Sequence, residues 1–336
     1  MTTIKDISED CGFSIATVSR VLNNQRNVDE NIRKKVLQSA KALDYKPNVL
    51  AKLLRTQDSN FIMCIVPSDN GLMFNIFTAM QERFHENGYQ LLLYPKSLDS
   101  TDDSNLIQSL ESGLIAGIVL INSGACSGNI LSNLSKQVPL VQQGEYDEHT
   151  KTSVITIDYI QAFKDGTKFL IKNGHTQIAV LSFMPSLLSS RKKLQGYKIA
   201  LEQAGIPYNA NLIKEVNHNF DSSLESAILS LFELEEKPTA IMCYSDIIAA
   251  KCIRILHQNN IHVPEDCSVM GFDNSNISDL TTPTITTIGI SQAQMGKRSA
   301  DLLLEQIKYK ERYNEIIIMP HKLYLRETVN KRKDFD

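Results

Sequence analysis

Apolar side chains in the first 45 positions recur every three or four residues, which is the period of amphipathic helices. Thr3, with Asp6 three positions later, forms the capping pattern that opens a helix. Gly12 ends this helix, and Ser14 caps the next one. A third helix begins after Asp29 and carries enough apolar positions to close a small core. The pattern therefore predicts three short helices, the first two joined by a tight turn.

The second of these helices has two unlike faces. Val18, Val21 and Leu22 lie on one face and are suited to packing against the other helices. The opposite face is small, polar and cationic, which suits a helix that enters a major groove and reaches base edges. An ordinary helical hairpin is the alternative interpretation. The candidate DNA contacts of this region are Thr3, Ser14, Ile15, Ala16, Ser19, Arg20 and Asn23.

A further short helix is predicted directly after the third one. Pro47 ends the third helix, and Asn48 can cap a helix over residues 49–54. A helix of this length is not stable alone in water, so we expect its folding to depend on a partner.

From Phe61 onward the pattern changes to apolar runs of strand length that alternate with helical stretches. The rhythm occurs twice, which predicts an α/β core of two subdomains, each a doubly wound parallel sheet, behind a small all-α headpiece. This resembles periplasmic binding proteins, in which ligands bind in the cleft between the halves. The predicted divisions are a helix-turn-helix DNA-binding domain (1–46), a hinge helix and linker (47–60), a first core subdomain (61–157 plus about 289–320), a second core subdomain (158–288 plus about 321–327) and a charged tail without heptads (328–336).

Charge and composition narrow the possible functions only modestly. The 336-residue chain has a net charge of −3, and residues 1–60, with ten Lys and Arg against seven Asp and Glu, are basic. A basic head on an acidic body favours nucleic-acid binding at one end, although chance could produce so small a difference. The six cysteines show no CxxC spacing and predict reduced, buried thiols rather than a metal site. Without a signal segment, a long apolar span or a glycine-rich phosphate loop, we expect a cytoplasmic protein with no cofactor, no membrane contact and no enzymatic activity.

The order of these pieces resembles the lactose-repressor and galactose-repressor family of bacterial transcription regulators. The first sixty residues closely match the register of its purine-repressor branch. The resemblance covers essentially the whole chain and implies a homodimer on a pseudo-palindromic operator in double-stranded DNA. It also implies that the hinge helix folds in the minor groove, where Leu54 would be the residue inserted between base steps. Lys52 departs from the family's usual arginine. The hinge contacts implied by the resemblance are Asn48, Ala51, Lys52, Leu54 and Arg55.

The same resemblance assigns candidate effector-binding residues in the core. Asp273 of the VMGFDN motif follows a strand, and its carboxylate can accept hydroxyl hydrogen bonds from a sugar or polyol, unless it only caps a turn. Lys193 of KKLQGY stands where the family places an effector-binding arginine, and Arg191 is the alternative source of a guanidinium group.

Four further effector candidates each have an alternative structural role. Phe74 and Phe220 align with aromatics that face the pocket in purine-responsive members, yet either could be core. Asp158 and Asp246 occupy strand ends that often line the cleft, yet either could cap the following helix.

These observations predict a transcription regulator, most simply a repressor of a carbohydrate-utilisation operon that is controlled by a sugar or sugar derivative in the cleft. A nucleoside, a purine or a phosphorylated carrier protein is the alternative effector. A solute-binding receptor would fit the core but not the headpiece, and no activated nucleophile supports an enzyme.

Overall fold

The structure, a computed structural model, divides the chain into two compact units between Asp58 and Ser59. The described residues are 2–22, 28–45, 59–68, 73–97, 104–111, 113–122, 128–216, 220–311 and 314–332.

The first unit is a cluster of three helices, as the apolar pattern predicts. They are α1 (Ile4–Cys11), α2 (Ile15–Leu22) and α3 (Glu30–Ala42). The Thr3 backbone N–H donates to the Asp6 carboxylate over 2.7 Å, and the Asp6 N–H donates to Thr3 Oγ1, so the predicted capping pair is confirmed. Gly12 ends α1 with φ 73°, a left-handed conformation that glycine adopts at little cost. The buried core of this unit consists of Ile7, Val18, Val21, Val36 and Ala40.

The second unit alternates strands and helices around two sheets. In chain order its described elements are β1 (Phe61–Pro67), α4 (Phe74–Glu86), β2 (Gln90–Lys96), α5 (Ser104–Glu111), β3 (Ile115–Ile121), α6 (Gly128–Gln137), β4 (Leu140–Gln143), β5 (Ser153–Ile157), α7 (Tyr159–Lys172), β6 (Ile178–Phe183), α8 (Leu188–Gln203), a 3-10 turn (Ala210–Leu212), β7 (Ile213–Val216), α9 (Phe220–Phe232), β8 (Ala240–Cys243), α10 (Asp246–Gln258), β9 (Ser268–Asp273), α11 (Ile277–Leu280), β10 (Thr286–Gly289), α12 (Gln292–Tyr309), β11 (Ile316–Met319) and β12 (Lys322–Tyr324).

The two sheets have matching organisation. In the described residues the first has the order β11-β5-β4-β3-β1-β2 and is parallel throughout. The second has the order β12-β10-β9-β8-β6-β7 and is parallel except for β12, which pairs antiparallel with β10 at the edge. β1, β3 and β8 are apolar over nearly their whole length because helices cover both faces of each sheet.

The chain crosses between the two subdomains at three places in the described residues. It leaves the first sheet after β5, returns after β10 and leaves again between β11 and β12. The His321 ring lies at the last crossing, with its Nε2 3.0 Å from Asp165 Oδ2 on α7. Residues at the carboxyl ends of strands from both sheets line a common cleft.

Glycines allow the closest helix contacts in each subdomain. A Cβ on Gly196 of α8 would lie 2.2 Å from the carbonyl oxygen of Ile160 on α7, and a Cβ on Gly296 of α12 would lie 2.5 Å from the carbonyl oxygen of Ile76 on α4. The obstructing atoms belong to backbone and cannot rotate away, so these positions require glycine for packing rather than for helix formation.

Residues 328–332, the start of the segment that the sequence assigns to a charged tail, make hydrogen bonds with the second subdomain. Thr328 is fully buried, its Oγ1 accepts from the Thr286 N–H over 2.9 Å, and its carbonyl accepts from the Val269 N–H. The Asn330 N–H donates to Ser268 Oγ over 3.1 Å. Residues 328–332 therefore pack along the second subdomain, since their backbone and the Thr328 hydroxyl satisfy polar groups of β9 and β10.

Replacing Gly196 with alanine tests the contact between α7 and α8. Alanine favours a helix by about 1 kcal/mol over glycine, but the added Cβ must push the two helices apart. We expect a net loss of about 1–3 kcal/mol in the free energy of unfolding, measured by urea denaturation. Gln195→Ala, at the exposed neighbouring position, is the control. An equal or higher midpoint for Gly196→Ala would show that the helices are not in close contact.

Candidate functional site

The outer face of α2 is the first candidate site. Val18 and Val21 are buried in the unit, whereas Ala16 and Arg20 are exposed and Ile15 is 52% exposed. The exposed side of α2 therefore combines apolar and cationic side chains, whereas its buried side is apolar. The arrangement suits a helix that presses against another molecule.

Thr3 and Ser14 also have a structural role. Thr3 caps α1, and Ser14 Oγ accepts from the Thr17 N–H over 3.2 Å at the start of α2. Ser19 is half-buried on α2. The other predicted DNA contacts, Asn23, Asn48, Ala51, Lys52, Leu54 and Arg55, lie outside the described residues.

The second candidate site is a cavity of about 200 Å³ at the carboxyl ends of the strands, between the two subdomains. The first subdomain contributes residues from β1, the start of α4, the loop after β4 and the start of α12. The second contributes residues from α8, the loop after β8, α10 and β9. Its apolar walls include Met73, Ile76, Phe183, Leu187, Ile248, Phe272, Ile290 and Met295.

Lys193 is the buried cation of this cavity. Its Nζ donates to the Tyr244 carbonyl oxygen over 2.9 Å and lies 3.7 Å from the ring centroids of both Tyr244 and Phe272. Burial lowers the lysine pKa to about 8, while Asp273 and Glu145 oppose that shift. The aromatic faces and the carbonyl thus replace much of the water that the ammonium group loses.

Glu145 links the two subdomains across the cavity. It follows β4 of the first sheet, yet its two carboxylate oxygens accept from the backbone N–H groups of Leu188, over 2.6 Å, and Ser189, over 2.8 Å. These groups open α8 in the second subdomain. A buried carboxylate at a helix N-terminus satisfies N–H groups that have no partner within the helix.

Two carboxylates lie at the base of the cleft. Asp246 is buried under the Asp273 loop and accepts from the Ser275 N–H over 2.6 Å and from Thr287 Oγ1 over 2.5 Å. Burial, with a further contribution from the charge of Asp273, raises the pKa of Asp246 to about 7. Asp273 borders the cavity, and the surrounding protein raises its pKa to about 6 although Lys193 opposes this.

The structure brings only part of the predicted effector set to the cavity. Lys193 and Asp273 line it, and Asp246 supports the loop that carries Asp273. Phe74 does not line it, since its ring is 70% exposed at the start of α4. Asp158 instead caps α7 by accepting from the Gln161 N–H over 2.9 Å.

Arg191 is also placed away from the cavity. Its guanidinium group donates to the Ser186 carbonyl over 2.5 Å on the exposed side of α8, because it lies on the opposite face of the helix from the buried Lys193. For Phe220 the described part of the structure includes only the backbone, so the prediction for its ring lies outside it.

Sequence reasoning missed several residues that line the cavity. Glu145 follows β4 and Tyr244 follows β8, so the rule that ligands bind at the carboxyl ends of strands could have found both. Phe272 lies inside a continuous apolar run, and Gln292 follows the serine that caps α12. Nothing in their local pattern distinguishes these two from ordinary core and helix residues.

Comparison with known proteins identifies the chain. Residues 3–48 match the family model for bacterial regulatory proteins, lacI family, and residues 167–329 match a periplasmic binding protein-like domain. The HTH-type transcriptional repressor PurR of Vibrio parahaemolyticus is 30% identical over 333 residues, covering 98% of this chain and 99% of that protein. The chain belongs to the lacI family of bacterial regulatory proteins.

Other lacI-family proteins match along the same length. Catabolite control protein A of Priestia megaterium is 29% identical over 332 residues, covering 97% of this chain and 98% of that protein. The structure of the lac repressor dimer bound to operator and the anti-inducer ONPF has a TM-score of 0.83 at 23% identity, covering 98% and 99% of the two chains. The predicted family, the fold class and the prediction of a DNA-binding transcription regulator with an effector-binding core are confirmed.

None of the described helices combines the length and the apolar character needed to cross a membrane. The same part of the chain contains no group of three or more His, Cys, Asp and Glu side chains arranged to hold a metal ion.

Loss of the Glu145 carboxylate should expose the start of α8. We expect Glu145→Ala to accelerate hydrogen exchange at the Leu188 and Ser189 amides by about tenfold or more, because both lose their acceptor. Asp158→Ala is the control, since it should affect only the start of α7. Unchanged exchange at Leu188 and Ser189 would show that Glu145 does not hold these amides in solution.

Replacement of Asp246 should change how stability depends on pH. The folded state holds a proton on Asp246 up to about pH 7, whereas the unfolded chain releases it near pH 4, so this group reduces stability as pH rises between those values. The difference in free energy of unfolding between Asp246→Asn and wild type should therefore shift in favour of the variant by about 1 kcal/mol or more as pH rises from 4 to 7. Urea denaturation at each pH measures this difference.

The Glu327 carboxylate should have the opposite effect on how stability depends on pH, so it serves as a comparison for Asp246. It accepts from the Thr284 N–H over 2.8 Å, and this bond lowers its pKa, so its contribution is present above the ordinary glutamate pKa and is lost as pH falls below it. A parallel pH profile for wild type and Asp246→Asn would contradict the raised pKa of Asp246.

Proposed function

We propose that two copies of this chain bind a pseudo-palindromic operator through α2 and the segment after α3, and that a small molecule in the cavity controls this binding. The observation that carries the proposal is the exposed face of α2, where Ile15, Ala16 and Arg20 project from a unit held together by Val18 and Val21. The lac repressor structure is a dimer on its operator, and we extend that arrangement to this chain.

A DNA contact by α2 divides into two kinds of interaction. The Arg20 guanidinium can read a base edge with two parallel hydrogen bonds, whereas Ile15 and Ala16 can contact a thymine methyl group. Ser14 and Thr3 lie at helix starts, where hydroxyl and N–H groups commonly bind phosphate. The hinge contacts, with Leu54 as the inserted residue, are part of the same proposal.

The effector acts on the operator through the cleft. It lies between subdomains that Glu145 joins, so a ligand that prefers one cleft geometry shifts the relative position of the two halves. In a dimer, such a shift changes the separation of the DNA-binding units. A coupling free energy of about 1–3 kcal/mol, which is typical of allosteric proteins, would suffice to change operator occupancy.

The lining of the cavity favours a carbohydrate over a purine. A purine binds best by stacking on aromatic faces, but Lys193 already lies over two of the lining rings, those of Tyr244 and Phe272, and Phe74 is away from the cavity, so fewer faces are left for stacking. Asp273 instead offers a carboxylate to hydroxyl groups. This supports control of a carbohydrate-utilisation operon, and the regulatory character of the relatives supports a binding rather than a catalytic role.

Selection of genomic fragments by the intact protein tests the proposal, with Arg20→Ala as the variant. We expect wild type to enrich a fragment that contains an inverted repeat, and Arg20→Ala to bind that fragment about 10- to 100-fold more weakly while losing less affinity for unrelated DNA. Lys41→Ala removes the same charge from the exposed side of α3 and should leave the selection intact. The absence of any enriched fragment with wild type, or equal losses for both variants, would contradict the proposal.

A further inference from the structure

The cavity has no free site for an anion at the start of α8. The first N–H groups of a helix are an ordinary binding site for phosphate or carboxylate. Here the Leu188 and Ser189 N–H groups already donate to Glu145, over 2.6 and 2.8 Å, and Glu145 itself is buried. The protein's own carboxylate therefore occupies the position that a phosphorylated ligand would use.

The buried Lys193 ammonium group also already has partners within the protein. Lys193 donates to the Tyr244 carbonyl and is enclosed by the Tyr244 and Phe272 rings, each 3.7 Å from its Nζ to the centroid. Besides Lys193, the charged side chains among the described lining residues are Glu145 and Asp273. Two carboxylates against one ammonium group disfavour a ligand with negative charge.

Hydrogen-bond acceptors, by contrast, remain available on both sides of the cleft. Gln292, at the start of α12, borders the cavity and is 8% exposed, and its Oε1 has no hydrogen-bond partner in the described structure. Within the same described residues, no N–H or O–H group donates to the carboxylate of Asp273, which ends β9 in the other subdomain. The Gln292 oxygen is a buried acceptor without a donor, which is costly, so a ligand that donates to it binds with an advantage. The Asp273 carboxylate is exposed, and a ligand donor would replace water there.

We propose that the cavity binds an unphosphorylated small molecule that bears hydroxyl or amino donors, which bridges Asp273 of one subdomain and Gln292 of the other. The apolar walls formed by Ile76, Ile290 and Met295 cover the carbon face of such a molecule. Phosphate esters are rejected, because they place negative charge beside Glu145 and Asp273. The inference deepens the proposed function and rests on it, since the ligand is the effector of the same cavity.

A thermal-shift comparison of matched pairs with the intact protein tests the ligand class. The probes are glucose, ribose, glucosamine and adenosine, each beside its monophosphate ester, with inorganic phosphate as the bare anion. We expect at least one unphosphorylated probe to raise the melting temperature by about 5 °C at saturation, and its ester and inorganic phosphate to give less than half of that shift. A larger shift from any ester than from its parent, or no shift from every unphosphorylated probe, overturns the proposal.

Variants of the two acceptors test the bridge with the probe that binds. Gln292→Met removes a buried oxygen that has no partner, so we expect the free protein to melt at the same or a higher temperature while the probe binds about 10-fold more weakly. Asp273→Asn should weaken the probe about 10- to 100-fold, because a charge-assisted bond is lost. Gln294→Met, at an exposed position of the same helix, should change neither quantity.

Unchanged probe affinity in Gln292→Met, or a lower melting temperature of its free form, would overturn the bridging role of Gln292. Selection of genomic fragments by the same protein preparations distinguishes a failure of the ligand proposal from a failure of the proposed function. A protein that selects its operator but prefers phosphate esters refutes this ligand class alone, whereas a protein that selects no DNA refutes the proposed function.

Discussion

The contact between the Glu145 carboxylate and the first turn of α8 is the interaction on which the rest of the effector site depends. It joins the loop after β4 of one sheet to a helix that covers the other, and it satisfies N–H groups that burial would otherwise leave without partners. With this contact in place, the carboxyl ends of both sheets enclose one cavity. Because this contact crosses the cleft, a molecule that changes the separation of the two subdomains must either preserve the contact or break it.

The polar chemistry of the cavity follows from that enclosure. Lys193 is kept from water by the Tyr244 and Phe272 rings, and this burial lowers its pKa to about 8. Asp273 and Asp246 lie close enough that the charge of the first raises the pKa of the second. The protein thus balances most of the charge in the cleft with its own groups, which leaves acceptors rather than charges for a ligand to satisfy.

Local features of the fold were predictable from the sequence, and features made by distant segments were not. The Thr3 cap and the Gly12 terminus depend on a few neighbouring residues, so their patterns identified α1 and its end. Two sheets with helices on both faces followed from the repeated apolar runs. Residues 328–332, in contrast, pack beside β9 through backbone hydrogen bonds that no side-chain pattern records.

The residues of the candidate cavity were likewise predictable only in part. Asp273 was predicted from the resemblance of the VMGFDN motif to the family, whereas Phe74 and Arg191 do not reach the cavity because one helical position decides which way a side chain points. Glu145 and Gln292 meet the cavity from segments nearly 150 residues apart, which periodicity along the chain does not report.

Thermodynamic linkage gives the most direct measurement of the central claim that cleft and operator are coupled. The dissociation constant of the effector is measured by calorimetry with and without saturating operator, and that of the operator with and without saturating effector. The account predicts that both change by the same factor, about 5- to 150-fold. An effector that binds the free and the operator-bound protein equally well would contradict it.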